Sequence, residues 1–338
     1  MSNRAARRRA AKEDAKAAVT EPEIHLENPV QAHFASFVVG NAQYCDHVVE
    51  ADTAKGQHLI LCGAGPSLMD TAAEWCPKGD QIWGCNSAVT WLYDQGHKPT
   101  HGFTVDQTPH MVAEWRNPPP VEYLVASSCH PHLIQLLLGR GRSLRFFHNF
   151  VGIRQRPVSW ADEDGVMQAA SYEDWLYMTL YPMTVRAGSG LNSVNRAIDI
   201  ALWMGFDKIT LLGADCALRI RTPPPSADDH EAYRRWLDDT IMHADGGSAT
   251  ASGATAMTMG GLIDGRHWET KVDLVISAVW LVKAVKYLKG RLEIIGDVLP
   301  NALMGKSEEF LARLPRMVDS TGKAIPINLD DSSVYADL

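Results

Sequence analysis

The sequence predicts an α/β fold: a Rossmann-like, mostly parallel sheet with helices on both faces and a helical or loop insertion. From His58 onward, strand patterns alternate with helical patterns of roughly ten residues. This alternation favours parallel pairing with right-handed crossovers. The chain has 338 residues and 46% hydrophobic content, so it can enclose a sizeable core.

Each element of this fold has its own pattern along the chain. Short apolar runs bounded by glycine or polar residues predict strands, and apolar residues three or four apart predict helices. The predicted strands cover residues 58–65, 80–87, 100–106, 121–127, 143–149, 207–215 and 291–297. The predicted helices cover residues 67–76, 88–96, 171–182, 188–206, 226–243 and 271–290.

Composition divides the chain into further zones. We predict a disordered or helical basic tail over residues 1–25, a helical lead-in over 26–55, a Rossmann-type domain over 56–305 and a C-terminal tail over 306–338. An insertion of about residues 217–260 interrupts the domain, where prolines and small residues replace periodic patterns. The arginines of the basic tail either bind nucleic acid or an acidic partner, or keep the chain soluble.

Charge and cysteine usage exclude several classes of protein. The net charge of -8 and the pI of about 5.9 oppose a general attraction to nucleic acid or to anionic membranes. The six cysteines lack C-x-x-C spacing, which is typical of a reducing compartment. No apolar run reaches the roughly 18 residues that a membrane span needs. We therefore expect a cytoplasmic protein without a membrane span, and the oligomeric state stays open.

A glycine turn follows the first predicted strand, within residues 59–68. Gly63, Gly65, Pro66 and Ser67 lie where that strand passes into a helix. Such a turn presents backbone N–H groups beside the positive end of the helix dipole, and it binds anions such as phosphate. The alternative is a sharp bend with no ligand, because the turn matches neither a dinucleotide fingerprint nor a P-loop.

A second turn of the same kind opens the helix predicted over residues 188–206. It contains Gly188, Ser189, Gly190 and Asn192. Its backbone and hydroxyl groups offer another anion site. Two such turns suit a diphosphate or a nucleotide.

Polar residues follow three other predicted strands. Asn86 and Ser87 end the second strand, Asp106 ends the third, and Asp215 ends the strand over 207–215. Ligands of α/β sheets bind at the carboxyl ends of the strands, and Mg²⁺ is commonly held by one or two carboxylates plus phosphate oxygens. We therefore predict that Asp106 and Asp215 are catalytic metal ligands; the alternative is that each aspartate caps the helix that follows it.

Three segments in order resemble the 6-hydroxymethylpterin diphosphokinase MptE-like family: LCGAGPSL, GCNSAVTWLYDQGHKPTHGFTVDQ and GSGLNSVNRAIDIALWMGFDKITLLGADCAL. The resemblance covers roughly residues 56–305, with a weaker stretch from about 118 to 185. It implies a Rossmann-like sheet and Mg²⁺-dependent transfer of diphosphate from ATP to a pterin alcohol. By position, it implies that the turn from Gly63 to Ser67 holds phosphate, that Asn86 faces the nucleotide, and that Asp106 and Asp215 hold metal or substrate.

The same motifs resemble a bacterial sialyltransferase family whose donor is a cytidine-monophosphate sugar. That resemblance implies catalysis without a metal, through a histidine base. His243 and His267 are the candidates for this base, and the alternative is that both are ordinary surface residues.

Three functions remain open from the sequence. The first is a nucleotide-dependent transferase that moves a phosphoryl or diphosphoryl group from ATP to a small hydroxyl-bearing acceptor with Mg²⁺. The second is a glycosyltransferase that uses a CMP-sugar. The third is a non-enzymatic binding or structural protein whose basic tail contacts nucleic acid or a partner.

Overall fold

The computed structural model describes residues 29–149, 158–161, 167–170, 172–181, 185–188, 192–217, 219–221, 258–263, 266–307 and 311. The predicted tail over residues 1–25 and the predicted helix over 226–243 lie outside these residues. So does nearly all of the predicted C-terminal tail over 306–338.

The described strands and helices alternate along most of the chain. The strands are β1 His58–Cys62, β2 Gln81–Cys85, β3 His101–Thr104, β4 Glu122–Ala126, β5 Leu144–Asn149, β6 Val158–Ala161, β7 Met167–Ala170, β8 Arg186–Ala187, β9 Lys208–Leu212, β10 Arg219–Arg221, β11 Thr258–Ile263, β12 Arg266–Lys271 and β13 Leu292–Ile294. The helices are α1 Pro29–Asn41, α2 Leu68–Trp75, α3 Ser87–Asp94, α4 His110–Glu114, α5 Pro131–Gly139, α6 Tyr172–Leu180, α7 Ser193–Trp203, α8 Val272–Tyr287 and α9 Leu299–Leu303.

An eight-stranded parallel sheet forms the centre of the molecule. Its strand order is β13-β9-β1-β2-β3-β4-β5-β8. Leu59 of β1 pairs with Gln81 of β2 on one side and with Ile209 of β9 on the other. The chain thus continues in one direction from β1 through β5 and returns to the opposite side of β1 with β9 and β13. This reversal makes the β1–β9 junction a topological switch point, where open α/β sheets bind their ligands.

Helices cover both faces of this sheet, which confirms the predicted Rossmann-like α/β fold. Successive β1 residues show this, because neighbouring side chains of a strand point to opposite faces. Leu59 and Leu61 pack in the larger core cluster with residues of α7 and α8. Ile60 and Cys62 pack in a second cluster with residues of α2 and α3. Burial on both faces accounts for the continuous apolar runs in the strand sequences.

Two small antiparallel sheets stand apart from the central one. Strands β10, β12 and β11 form a three-stranded sheet in that order, and β6 pairs with β7. These five strands are not among the strands predicted from the sequence. The helices that follow these strands in the chain were predicted from the sequence: those predicted over 171–182 and 271–290 are found as α6 and α8. None of the described helices has the length and apolar character needed to cross a membrane.

Candidate functional site

A cleft of about 580 Å³ opens at the carboxyl ends of the strands, beside the β1–β9 switch point. We call it the carboxyl-end cleft. Its wall comes from the ends of β1, β2, β3, β5 and β9, from the start of α7 and from α8. Its polar side chains are those of Asn86, Asp106, Gln107, Thr108, Asn149, Asn192, Ser193 and Asp215.

The turn after β1 is bonded closely to the turn after β9. The Gly63 amide donates to the Leu212 carbonyl at 2.8 Å, and the Gly65 amide donates to the Gly213 carbonyl at 2.9 Å. The sequence pattern predicts that this turn presents its backbone N–H groups to an anion. In the structure the Gly63 and Gly65 amides are instead paired, because β9 lies next to β1 in the sheet and brings the carbonyl groups at its end within reach.

Glycine is required in this turn by the close approach of backbone. A Cβ on Gly63 would lie 2.5 Å from the carbonyl oxygen of Gly213, and a Cβ on Gly65 would overlap the carboxylate of Asp215. Gly213 itself has a φ of +63°, a conformation that glycine adopts without strain. Both glycines of the predicted phosphate turn therefore line the cleft and also allow two turns to pack against each other.

Asp215 is buried and bonded to Ser67. Its carboxylate accepts the Ser67 hydroxyl at 2.7 Å and the Ser67 amide at 3.3 Å. Burial raises the pKa of Asp215, and the hydrogen bonds from Ser67 oppose that rise only in part. The structure thus places Asp215 in the cleft wall, as the cap of the turn before α2.

Asn86 occupies a strained elbow between β2 and α3. Its φ of +51° and ψ of −127° lie in a region that residues with side chains rarely adopt. The elbow is fixed by the Asn86 amide, which donates to the Phe103 carbonyl at 2.9 Å, and by the Trp115 indole, which donates to the Asn86 carbonyl at 2.9 Å. The side-chain oxygen accepts the Ser193 hydroxyl at 3.4 Å, so the end of β2 meets the start of α7.

Asp106 forms the third polar corner of the cleft. One oxygen, Oδ1, accepts the Thr108 amide at 2.8 Å and the Thr108 hydroxyl at 2.7 Å. The other, Oδ2, lies 3.9 Å from Nδ1 of His110, which is too far for a hydrogen bond. The opposite ring nitrogen of His110 contacts the Glu114 carboxylate at 2.6 Å. No sequence pattern identifies His110 or Glu114, because the helix that pairs them has only five residues.

The second predicted turn is described in part. The Gly188 amide donates to the Asp199 carboxylate at 3.1 Å. Asn192 lines the cleft, and its side-chain oxygen accepts the Asn195 amide at 2.9 Å, which caps α7. Ser189 and Gly190 lie outside the described residues.

Two of the predicted ligand residues face a different hollow. Pro66 and Ser87 line a neighbouring depression of about 240 Å³, which shares Ala64 and Gly65 with the carboxyl-end cleft. Trp91 forms part of its apolar wall.

The two histidine candidates are not tested by the structure. His243 lies outside the described residues, and His267 is a residue of β12 whose side chain is not described.

The electrostatic character of the cleft is acidic. In the described part of the chain, no lysine, arginine or histidine side chain lines it. All the described residues together contain no cluster of three or more His, Cys, Asp or Glu side chains suited to a metal ion.

A family model described as "6-hydroxymethylpterin diphosphokinase MptE-like" matches residues 38–221. That match spans more than half of the chain. The chain belongs to the MptE-like family. The residues matched include the turn after β1, the Asn86 elbow, Asp106 and Asp215, so the family model contains the cleft wall contributed by β1, β2, β3 and β9.

A solved structure shares the fold of this MptE-like chain. It is described as the MAf glycosyltransferase from Magnetospirillum magneticum AMB-1, with a TM-score of 0.51 and 11% sequence identity. The similarity covers 82% of this chain and 38% of that chain, so the MptE-like chain spans well under half of that glycosyltransferase. No curated protein sequence matches the chain.

Proposed function

We propose that this protein is a nucleotide-dependent transferase that moves a phosphoryl or diphosphoryl group from ATP to a hydroxyl acceptor. The observation that supports it most is the convergence of Asn86, Asp106 and Ser193, from three distant parts of the chain, on one cleft at the switch point. Membership of the MptE-like family supports the same class of reaction.

The side chains suggest a role for each part of the cleft. The side-chain carboxamide of Asn86 and the hydroxyl of Ser193 are neutral hydrogen-bonding groups. The elbow fixes the first and α7 fixes the second, so both suit the sugar and phosphate oxygens of a nucleotide. Phosphoryl transfer depends mainly on positioning and on charge stabilisation, and it needs no nucleophile from the protein. In this proposal the cleft holds donor and acceptor in line.

Mg²⁺ fits one of the two predicted carboxylates better than the other. Within the described ranges no hydrogen-bond donor reaches Asp106 Oδ2, whereas the Asp215 carboxylate is bonded to Ser67. Mg²⁺ often takes a single protein carboxylate and fills its shell with water and phosphate oxygens. We therefore assign Asp106 as the ligand that would hold Mg²⁺, and the ion would supply the positive charge that the phosphates need.

A second candidate is transfer from a nucleotide sugar such as a CMP-sugar. The acidic cleft favours it, because a nucleotide monophosphate carries fewer charges to neutralise than ATP does. The fold shared with the MAf glycosyltransferase is compatible with this alternative. The two candidates use the same cleft and differ in donor and in metal dependence.

Titration calorimetry separates the two candidates. ATP is titrated into the protein with Mg²⁺ and with a chelator, and CMP-sialic acid is titrated under the same two conditions. The diphosphokinase-like candidate predicts ATP binding that the chelator abolishes. The glycosyltransferase-like candidate predicts CMP-sialic acid binding that survives the chelator. Binding of neither ligand contradicts the proposal that this cleft serves a nucleotide-dependent transferase.

A further inference from the structure

Asn149 is the last residue of β5 and lines the carboxyl-end cleft on the side away from the β1–β9 junction. Its exposed fraction is 6%. None of the sequence motifs includes it, and neither candidate function described above gives it a role.

The backbone of Asn149 is held firmly in place. The residue pairs with Ala187 of β8, and its carbonyl oxygen accepts the Tyr177 hydroxyl at 3.0 Å. The ring of Tyr177 stacks on His148 with centroids 3.8 Å apart. Because β8 and Tyr177 both hold the backbone at the end of β5, the carboxamide of Asn149 stays at the cleft wall.

The side-chain oxygen of Asn149 is buried and has no hydrogen-bond partner among the atoms that the structure describes. Buried polar atoms in folded proteins nearly always have a partner, and an unpaired one lowers stability. Other residues carry such atoms too, but within the described ranges Asn149 is the one that also lines the cleft. Its missing partner is therefore best supplied by a ligand in the cleft.

We propose that Asn149 binds an uncharged hydroxyl group of a substrate, in a subsite at the β5 end of the cleft. A hydroxyl both donates and accepts, so it can bond to the carboxamide whether the oxygen or the nitrogen of Asn149 faces the ligand. An anionic group suits this place poorly, because the described wall beside Asn149 offers no basic side chain. The inference rests on the proposed transferase function.

The hydroxyl has two possible sources. It belongs either to the acceptor or to the sugar of a nucleotide-sugar donor. Both present the same chemistry to Asn149, so the experiment uses free glucose for the first source and UDP-glucose, compared with UDP, for the second.

The test compares Asn149→Leu with Asn301→Leu. Asn301 is the control because its side-chain nitrogen donates to the Ile294 and Gly296 carbonyls, at 3.1 and 2.8 Å. Without ligand, Asn149→Leu removes an unpaired polar group and is expected to raise Tm by ~2 °C, whereas Asn301→Leu loses two hydrogen bonds and lowers it. Binding of glucose, UDP and UDP-glucose to wild type and to both variants is then measured by calorimetry.

Three results support the subsite and show the source of the hydroxyl. If Asn149→Leu weakens UDP-glucose about tenfold and leaves UDP unchanged, the hydroxyl belongs to the donor sugar. If it weakens glucose and leaves UDP-glucose unchanged, the hydroxyl belongs to the acceptor. Weakening of both compounds with UDP unchanged supports a subsite that accepts either source.

Three results overturn the subsite: a lower Tm for Asn149→Leu, unchanged binding of both sugar compounds, or no binding of either compound to the wild type. A wild type that binds neither ATP nor CMP-sialic acid contradicts the proposed function instead. The Tm comparison is measured without ligand, so the two failures are distinguishable.

Discussion

Polar side chains have different partners at the two ends of the parallel strands. At the amino ends, Glu122 bonds to His101 at 3.0 Å and to Arg145 at 2.8 Å. The hydrogen bond from His101 is the main reason that the pKa of Glu122 falls to about 2. Lys208 and Glu293 form a second ion pair at this end.

At the carboxyl ends, the described polar groups of the cleft form hydrogen bonds to neutral groups or have no partner. Burial raises the pKa of Asp215, Asn86 is held at a positive φ, and the Asn149 oxygen is unpaired. Each of these features costs stability, while the ion pairs at the amino ends do not. The amino ends therefore stabilise the fold, and the less satisfied polar groups at the carboxyl ends support the proposal that a ligand binds there.

The largest expected effect concerns Asp106. We expect Asp106→Asn to lower transferase turnover on the order of 100-fold or more, because it removes the carboxylate charge that would hold Mg²⁺. Asp94→Asn, at the exposed end of α3, is the control and should retain full activity. Initial rates at saturating ATP and Mg²⁺ measure both, and equal rates for the two variants would contradict the assignment.

The next effect concerns the packed turns at the switch point. Gly63→Ala places a Cβ against the Gly213 carbonyl, and we expect it to lower the free energy of unfolding by about 3 kcal/mol. Gly139→Ala is the control, since nothing lies within 4 Å of its added Cβ. Urea denaturation compares them. A loss below 1 kcal/mol for Gly63→Ala would show that the turns do not need their close approach.

The opposite pKa shifts predict opposite pH dependences. Glu122 has a lowered pKa in the fold, so its contribution is present above its ordinary value of 4.5 and is lost as pH falls towards 2. Asp215 has a raised pKa, so its contribution is present below its ordinary value of 3.8 and is lost as pH rises through the folded pKa.

Two variants test these opposite slopes. Glu122→Gln should flatten the acid loss of stability between pH 4.5 and about 2. Asp215→Asn keeps an oxygen for Ser67 and should remove a loss of stability that begins as pH rises above 3.8. The free energy of unfolding from pH 2 to 7 measures both, and slopes of the same sign for the two residues would refute the comparison.

The smallest effect concerns the elbow. Asn86→Gly relieves the positive φ and is expected to stabilise the fold by ~1 kcal/mol while weakening nucleotide binding. Binding should fall because glycine removes the carboxamide that meets Ser193. Chemical denaturation and calorimetry on the same samples test this trade. A variant that is less stable than wild type shows that Asn86 is not strained.

The sequence predicted the fold and most of the cleft for a simple physical reason. Parallel strands bring their carboxyl ends to one edge, so residues that follow strands, such as Asn86, Asp106 and Asp215, meet there. The structure confirms that these three line one cleft. Their roles as ligands stay predictions, as do the boundaries of the domains.

Other features depend on contacts that no local pattern shows. The Gly63 and Gly65 amides are paired because β9, some 150 residues later in the chain, lies beside β1. The pairing of His110 with Glu114 depends on a helix too short to give a periodic signal. Asn149 ends an ordinary apolar strand, and its importance follows from a missing partner rather than from a motif.

Hydrogen–deuterium exchange is the sharpest test of a nucleotide site at the carboxyl ends of the sheet, because it locates a bound ligand along the whole chain. Exchange is compared without ligand, with ATP and Mg²⁺, and with CMP-sialic acid. We predict that at least one of these ligands slows exchange at residues 63–68, 86–89 and 192–196, and leaves the amino ends around His101 and Glu122 unchanged. Slowing confined to the amino ends, or to no region, would contradict a nucleotide site at the carboxyl ends of the sheet.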